Sequence, residues 1–168
     1  MIPEPLKQYL DSKQANYRVL SHAPRPTAQE TAAAAHVSGW RFAKTVLLRV
    51  RNGEPSFVLC LLPASEVIDL ARLGSLLGRE VKLATEPDFV GLFPDFEAGA
   101  APPFGELARA PGIPVVADAC LTAAGTLVFN GGTHQDLIEM SWKDFRRIAN
   151  PQVIDYGLLQ GISAPPPM

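Results

Sequence analysis

The feature of this sequence that most restricts its fold is a pair of apolar segments joined by a tight-turn signal. "KTVLLRV" begins at Lys44 and "SFVLCLL" begins at Ser56, and each has the length of a β-strand. Asn52-Gly53 lies between them, and this dipeptide is typical of a β-hairpin turn. The pattern therefore predicts two antiparallel strands in the fold.

Helix and strand patterns alternate through the rest of the chain. A helix within 25–39 is favoured because Thr27 and Glu30 have capping-box spacing, an alanine run follows, and Gly39 stands where a helix is expected to end. Further helices are predicted at 3–14, 64–78, 86–93 and 141–148, and further strands at 17–20, 81–84, 113–118, 125–130 and 136–140. This mixture predicts an α/β or α+β domain with a mixed sheet.

The composition is that of a soluble globular domain. Hydrophobic residues make up 47% of the 168 residues and charged residues 19%, which is sufficient for a sizeable core. We expect a single domain over residues 1–158 and a flexible tail over 159–168. No apolar run reaches the length of a membrane span, and the N-terminus is too polar for a secretory signal, so we expect a cytoplasmic protein.

Charge is unevenly distributed along the chain. Residues 1–51 carry eight Lys or Arg against three Asp or Glu, whereas residues 52–168 carry seven against fourteen. The net charge of −2 argues against a general nucleic-acid coat, but a basic N-terminal face could contact a phosphate backbone. Ordinary surface charge explains the same asymmetry.

Cysteine and histidine spacing gives no indication of a metal or another cofactor. Cys60 lies inside an apolar strand-like run, far from Cys120, and the histidines at 22, 36 and 134 are scattered. The chain also lacks the GxGxxG, P-loop and GxSxG motifs and any legible Ser/His/Asp set. We therefore expect no metal and no cofactor.

Lys44 is the most informative single residue. Side chains alternate along a strand, so Lys44 shares a face with the apolar residues 46, 48 and 50, while the other face carries Arg49 and Arg51. The first face is expected to point to the core, with Lys44 at its open end. An ammonium group there would suit binding a carbonyl, carboxylate or phosphate, because an unpaired buried charge is costly. A lysine that extends from a strand end to solvent is the alternative.

Two glycine-containing segments are candidate ligand-binding loops. "FEAGAAPPFG" at 96–105 could be a rigid pocket rim or a simple turn. "NGGTH" at 130–134 could present the backbone N–H groups of Gly131 and Gly132, or it could be a plain hairpin with an incidental histidine.

Taken together, these segments resemble a known family. "TAQETAAAAHVSGWRFAKTVLLRV", "GAAPPFG" and "FNGGTHQDLIEMSWKDFRRI" are similar, in this order, to the YbaK/EbsC family of aminoacyl-tRNA deacylases, which is related to the editing insertion domain of bacterial prolyl-tRNA synthetase. The resemblance runs from about residue 5 to residue 149. It implies a mixed α/β fold with a curved, barrel-like sheet flanked by helices. It also implies hydrolysis of the ester that joins a wrong amino acid to the 3′ end of tRNA.

The resemblance assigns roles to particular residues. Lys44 matches the family's signature catalytic lysine, the GxxP loop falls on Gly99 to Pro102, and the glycine turn falls on Gly131 and Gly132. The implied catalytic residues are Lys44, Gly99 and Gly131, and the implied substrate-binding residues are Thr27, Ala100, Ala101, Pro102, Gly132, Thr133 and His134. The excess of positive charge in residues 1–51 adds Arg25 and Arg41 as the expected tRNA-binding residues. The partner would be the acceptor end of a mischarged tRNA, with an aminoacyl-tRNA synthetase as a further candidate, and neither DNA nor a membrane.

Two positions depart from the family pattern. Several family deacylases carry an aspartate where Leu137 stands, with Asp136 as the nearest acid here, and His134 replaces other polar or basic residues. These differences bear on amino-acid specificity. Because no protein nucleophile is legible, water would attack with help from a substrate hydroxyl. The alternative is a non-catalytic module that binds an amino acid or a tRNA end, as a regulator or a synthetase adaptor.

Overall fold

The computed structural model describes residues 1–23, 27–35, 37–52, 56–109 and 112–159. Over these residues the chain forms five α-helices and ten β-strands, with short 3-10 turns at Gly105–Leu107 and Ala119–Ala123. The helices are α1 (Glu4–Ser12), α2 (Ala28–Ala34), α3 (Leu70–Leu77), α4 (Glu86–Leu92) and α5 (Trp142–Ala149). The strands are β1 (Tyr17–Ser21), β2 (Ala43–Val50), β3 (Phe57–Pro63), β4 (Glu66–Ile68), β5 (Val81–Leu83), β6 (Val115–Asp118), β7 (Thr126–Asn130), β8 (Asp136–Ser141), β9 (Gln152–Ile154) and β10 (Gly157–Leu159).

A five-stranded mixed sheet in the order β5-β2-β3-β6-β9 forms the centre of the fold. The predicted hairpin is confirmed, because β2 and β3 pair antiparallel with Lys44 opposite Leu62 and Arg49 opposite Phe57. β6 and β9 continue the sheet in parallel. The remaining strands form a three-stranded sheet, β1-β8-β7, and a two-stranded sheet, β10-β4.

The mixed α/β class is confirmed, but the expectation of a barrel-like sheet is wrong. Among the described strands, the central sheet ends at β5 on one side and β9 on the other, and the three sheets are separate. An isolated parallel bridge between Phe42 and Val128 joins the central sheet region to β7. A single bridge does not continue the hydrogen-bond ladder, so the sheets do not close.

Both faces of the central sheet are buried. Leu47, Leu59 and Leu61 lie in one cluster with Phe104 and Phe129. The opposite face carries Leu48, Cys60 and Val116, which pack with Leu73 of α3 and Tyr156. The face of β2 with residues 46, 48 and 50 is therefore buried as predicted, but Leu47 shows that the other face is not a solvent face. Helices and loops cover both sides of this partly parallel sheet, and such coverage removes the apolar-polar alternation.

Local capping signals located several helix starts correctly. The Thr27 hydroxyl accepts a hydrogen bond from Glu30 N at 3.1 Å, and the Ser141 hydroxyl accepts one from Asp144 N at 3.1 Å. However, α2 ends at Ala34, before the predicted stop at Gly39. The prediction of one helix over 64–78 is wrong in its first part, because residues 66–68 form β4 and pair with β10.

The loop over 96–105 ends in a close backbone contact at Gly105. A Cβ atom at Gly105 would lie 1.7 Å from the Ile113 carbonyl oxygen, whereas one at Gly91 in α4 would meet nothing within 4 Å. Gly105→Ala should therefore lower the free energy of unfolding by about 3 kcal/mol or more, since overpacking against backbone is not relieved by rotamer changes. Gly91→Ala is the matched control, and chemical denaturation of both variants measures the difference. Equal stabilities would contradict the tight packing of this loop end.

Candidate active site

The two glycine-containing segments predicted from the sequence are clamped together in the structure. The Glu97 carboxylate accepts a hydrogen bond from His134 N at 2.7 Å, and His134 Nε2 donates to the Ala98 carbonyl oxygen at 2.7 Å. Two backbone bonds complete the clamp, from Glu97 N to Gly132 O at 2.9 Å and from Gly132 N to Ala100 O at 3.0 Å. We call residues 97–101 the rim loop and residues 131–134 the glycine turn.

Gly132 has no room for a side chain at the centre of this clamp. Its φ angle is +91°, and a Cβ atom would lie 2.8 Å from Phe96 Cδ1 and 2.8 Å from Pro3 Cγ. Gly99 in the rim loop also has a positive φ, of +80°. The His134 ring stacks against this position, with its Cε1 atom 3.7 Å from where a Gly99 Cβ would be. His134 therefore anchors the rim loop.

The Thr133 side chain is hydrogen-bonded to Asp136. Its hydroxyl donates to the Asp136 carboxylate at 2.8 Å, and Ser21 donates to the same carboxylate at 3.1 Å. Burial by itself would raise the pKa of Asp136, but hydrogen bonds from Thr133, the amino group of Met1 and Ser21 hold that pKa below its ordinary value. Leu137, the position of the family aspartate, is fully buried and apolar. The acid at 136 thus orders the glycine turn.

A cavity of about 390 Å³ opens beside the rim loop, at the edge of β2. Its lining residues are Thr45, Val46, Leu47, Leu59, Leu83, Ala84, Thr85, Glu86, Phe89, Ala98, Gly99 and Ala101. A larger cavity of about 610 Å³ lies at the other end of β2, among Arg49, Arg51, Glu80 and Lys82. Only the smaller one is bordered by the rim loop, so it is the candidate aminoacyl site.

Most backbone N–H groups of the two segments are already used. Gly131 N donates to Asp136 O at 2.8 Å, Gly132 N to Ala100 O, and Ala100 N to Glu97 O at 2.9 Å. The N–H groups of Gly99 and Ala101 donate no hydrogen bond to any other described residue, and both residues line the cavity. Ala98 N–H likewise donates no hydrogen bond to another described residue and also lines the cavity, so the available backbone donors are those of Ala98, Gly99 and Ala101, while Ala100 and Pro102 are buried outside the lining.

Thr45 is a polar cavity residue that sequence reasoning missed. Its hydroxyl is buried without a hydrogen-bond partner among the described residues, and it lies in the cavity wall. The alternation pattern placed Thr45 on a face with Arg49 and Arg51, which suggested solvent. The sequence signal that could have found Thr45 is the apolar residue Leu47 on the same strand face, which the structure shows to be buried.

Lys44 lies on the opposite face of β2 from Thr45 and Leu47. It is half-buried, and it is not among the residues that line the cavity. Desolvation lowers the pKa of Lys44 from its ordinary value, and the nearby Glu66 opposes that shift. Because β5 pairs only with residues 48–50, the edge of β2 beside Lys44 is open.

A buried acidic cluster lies near Lys44 and was not predicted. Ligand atoms of Glu66, Asp118 and Cys120 lie within 4.8 Å of one another. Glu66 Oε1 and Asp118 Oδ2 are buried and have no hydrogen-bond partner among the described residues. Burial, and then hydrogen bonding to Asp118, raises the pKa of Glu66 to about 8. Glu66 therefore keeps its proton at neutral pH.

A metal ion at this cluster would compete with protons at neutral pH. Burial raises the pKa of the Cys120 thiol to about 12, so both Cys120 and Glu66 keep their protons. A metal would have to displace these protons before binding. Sequence spacing could not reveal the cluster, since its members come from β4, β6 and the 3-10 turn that follows β6.

The other predicted residues lie outside the cavity lining. The Thr27 side chain caps α2 through Glu30. The Arg41 guanidinium pairs with Glu139 at 3.3 Å, and Arg18 pairs with the same carboxylate at 2.8 Å. Arg25 lies outside the described residues. The structure thus brings the rim loop and glycine turn together, but leaves Thr27 and Arg41 away from the cavity wall.

Together, the mixed sheet and the clamped rim loop define a small α/β domain with a preformed cavity beside that loop. The chain matches the aminoacyl-tRNA editing domain model over residues 22–148, and it belongs to that family. This confirms the family resemblance drawn from the sequence. Among proteins of curated function, none matches the chain significantly.

Solved structures share this fold over nearly the whole chain. The hypothetical protein APE2540 superposes with a TM-score of 0.80 at 23% identity, covering 92% of this chain and 99% of that one. A candidate trans-editing enzyme for prolyl-tRNA synthetase superposes with a TM-score of 0.76 at 24% identity, covering 90% and 94%. A candidate signal transduction protein from Marinobacter aquaeolei VT8 matches at 19% identity and a TM-score of 0.67, where this chain covers 31% of a longer protein.

The helices of the described ranges are too short or too polar to cross a membrane.

The proton held on Glu66 predicts a pH-dependent stability difference. Because the folded state holds this proton up to about pH 8 and an unfolded glutamate releases it near 4.5, unfolding becomes more favourable as pH rises through that window. Glu66→Gln cannot ionise, so its melting temperature should rise relative to the wild type between pH 5 and pH 8.5. Each unit of the pKa shift corresponds to about 1.4 kcal/mol, or about 3–6 °C for a chain of this size.

Thermal melts of both proteins across this range provide the measurement. Glu80→Gln is the control, because the Glu80 side chain is exposed on the surface. A constant melting-temperature difference between Glu66→Gln and the wild type at all pH values would show that Glu66 ionises normally.

Proposed function

We propose that this protein hydrolyses the ester bond between a mismatched amino acid and the 3′ end of tRNA, and that it acts in trans to a synthetase. The observation that carries this proposal is the set of N–H groups in the wall of the 390 Å³ cavity, from Ala98, Gly99 and Ala101, that donate no hydrogen bond to another described residue. Membership of the editing-domain family supports the substrate class. A preformed cavity with unused backbone donors in its wall suits an aminoacyl ester carbonyl.

In this mechanism, water attacks the ester carbonyl carbon and the carbonyl oxygen becomes an oxyanion. The N–H groups of Gly99 and Ala101 stabilise that oxyanion, because they are fixed by the clamp before the substrate arrives. The carbon–oxygen bond to the terminal ribose then breaks, and the ribose oxygen takes up a proton that the attacking water has released. The products are the free amino acid and the tRNA with its ribose hydroxyl restored.

The water is activated by the neighbouring ribose hydroxyl of the substrate. Glu86 is the only ionisable residue in the cavity wall formed by the described residues, and it is exposed in the first turn of α4. An exposed carboxylate there is a weaker candidate for the base than a hydroxyl already attached to the reacting ribose, since that hydroxyl needs no further positioning. Glu97 and Asp136, the acids of the clamp, are occupied by His134 and Thr133.

Lys44 supplies positive charge from the far side of the β2 edge. With the reach of a lysine side chain it contacts the terminal phosphate or the developing oxyanion. The Thr45 hydroxyl, which has no partner among the described residues, hydrogen-bonds the amino group or the ester of the substrate. The apolar wall from Leu47, Leu59 and Phe89 receives the amino-acid side chain.

Lys44→Ala should lower kcat/KM for deacylation by about 100- to 1,000-fold, because it removes a charge that stabilises the transition state. Its melting temperature should change little, since a strand-end lysine leaves no closed cavity. The measurement is release of labelled amino acid from tRNAs charged with alanine, cysteine, serine, threonine or proline. Lys82→Ala, an exposed lysine on the neighbouring strand β5, is the matched control.

Retention of full activity by Lys44→Ala would remove Lys44 from the mechanism. A wild-type protein that binds these charged tRNAs but hydrolyses none of them would favour the non-catalytic binding module instead.

Ala98→Leu should shift the preference of the enzyme towards smaller amino acids. Ala98 lines the cavity and is only partly buried, so a leucine can be accommodated there while it fills the site. Hydrophobic size discrimination is worth about 1–3 kcal/mol, so relative kcat/KM values should change by about 10-fold or more. The comparison is the ranking of the five aminoacyl-tRNAs for both proteins. An unchanged ranking in a folded variant would show that the rim loop does not contact the amino-acid side chain.

A further inference from the structure

Lys44, Leu62 and Asp118 lie in one row across the central sheet. Lys44 is directly opposite Leu62, and the parallel register of β3 and β6, which pairs Leu61 with Ala117, places Asp118 level with Leu62. Adjacent strands lie about 4.8 Å apart, so the Cα atoms of Lys44 and Asp118 are about 10 Å apart on the same face. The long side chain of Lys44 and the short side chain of Asp118 therefore extend on the same side of the sheet.

Glu66 reaches the same side of the sheet from the neighbouring strand β4. Its carboxyl group lies directly over Gly157 of β10, where a Cβ atom would come within 2.5 Å of Glu66 Oε1 and 3.0 Å of Oε2. Asp118 Oδ1 accepts hydrogen bonds from Tyr156 N at 3.1 Å and Gly157 N at 3.3 Å. The pairing of β4 with β10 thus creates a specific space for two adjacent carboxyl groups.

Among the charged and titratable groups that the described residues place around Glu66, Lys44 is the cation. Those groups are Asp118 on β6, Cys120 after β6, Asp155 and Tyr156 before β10, and Lys44 on β2. Asp155 is paired with Arg72 of α3, at 3.4 Å, and the buried Tyr156 hydroxyl donates to the Leu61 carbonyl. Lys44 forms no ion pair or hydrogen bond with another described residue, although its charge acts on Glu66.

Lys44 therefore has two possible positions for its ammonium group. One position is at the cavity edge, where the substrate would be, and the other is against Glu66. While Glu66 is protonated, the negative charge beside it is that of Asp118, which Tyr156 N and Gly157 N already stabilise. When that proton leaves, a second buried charge appears beside Lys44, and an opposite charge is the strongest available stabilisation for it.

We propose that Glu66 is a positioning residue for Lys44: protonated and paired with Asp118, it leaves the lysine free to reach the substrate, and ionised, it withdraws the lysine into an ion pair. This inference rests on the proposed deacylase function, and it adds a control on the catalytic lysine. The pKa of about 8 for Glu66 places the change just above neutral pH.

The pH profile of deacylation distinguishes this proposal from ionisation of Lys44 itself. In the wild type, kcat/KM should fall by about 10-fold between pH 7 and pH 9, after subtraction of spontaneous hydrolysis. Glu66→Gln should remove this fall, so that it exceeds the wild type at pH 9. If the fall came from deprotonation of Lys44, losing the nearby carboxylate would instead move it to lower pH. Glu80→Gln, on the exposed surface, should reproduce the wild-type profile.

Asp118→Asn gives the opposite expected result. Asparagine removes the charge that keeps the proton on Glu66, so the fall in kcat/KM should move to lower pH. Because Asp118 also binds the backbone of β10, a melting curve must first show that this variant folds. The Glu66→Gln profile decides the proposal if it does not.

NMR titration separates failure of this proposal from failure of the proposed function. The Glu66 side-chain carboxyl carbon and the Lys44 Cε atom should titrate with the same midpoint near pH 8 in the wild type, and the Lys44 step should vanish in Glu66→Gln. That result in a protein without deacylase activity would support the Glu66–Lys44 coupling and reject the enzyme. An active wild type whose alkaline fall persists or moves to lower pH in Glu66→Gln would overturn the role of Glu66 while the enzyme stands.

Discussion

The register of the β2–β3 hairpin determines which side chains of β2 face the cavity and which face the opposite side of the sheet. Strand β2 is covered on both faces, so each of its residues is assigned to one of two separate environments. Thr45 and Leu47 face the cavity beside the rim loop, whereas Lys44 faces the region with Glu66 and Asp118. A slip of one residue would exchange these environments. The pairing of Lys44 with Leu62 is therefore a functional constraint as well as a structural one.

The clamp between the rim loop and the glycine turn determines which groups remain available to a ligand. It uses the backbone groups of Ala100, Gly131 and Gly132 for internal hydrogen bonds, together with the backbone N–H and the ring Nε2 of His134. In the cavity wall it leaves the backbone donors of Ala98, Gly99 and Ala101, on a segment that is held by several hydrogen bonds. Fixed donors of this kind are effective in stabilising an oxyanion because they do not reorganise during the reaction.

Burying the adjacent carboxyl groups of Glu66 and Asp118 is unfavourable for the stability of the fold. Two carboxyl groups at close distance in a buried space disfavour ionisation, and apolar residues there would fold at least as well on general grounds. The space is nevertheless shaped for them, since Gly157 has no side chain where the Glu66 carboxyl lies. An energetically unfavourable group next to a lysine of lowered pKa is more characteristic of a functional site than of a core.

The sequence by itself determined the fold class, the hairpin, most helix starts and the family, because these depend on local signals: alternation, turn residues, capping side chains and the order of motifs. It also selected the rim loop, which borders the cavity, and the glycine turn, which is hydrogen-bonded to that loop. Only the tertiary structure decided which N–H groups are free, that Thr45 lies in the cavity, and that Glu66 and Asp118 meet near Lys44. These facts depend on strand pairings between distant segments, such as β4 with β10 and β3 with β6. Local sequence patterns carry no information about such pairings, since the pairing strands are brought together only when the whole core is packed.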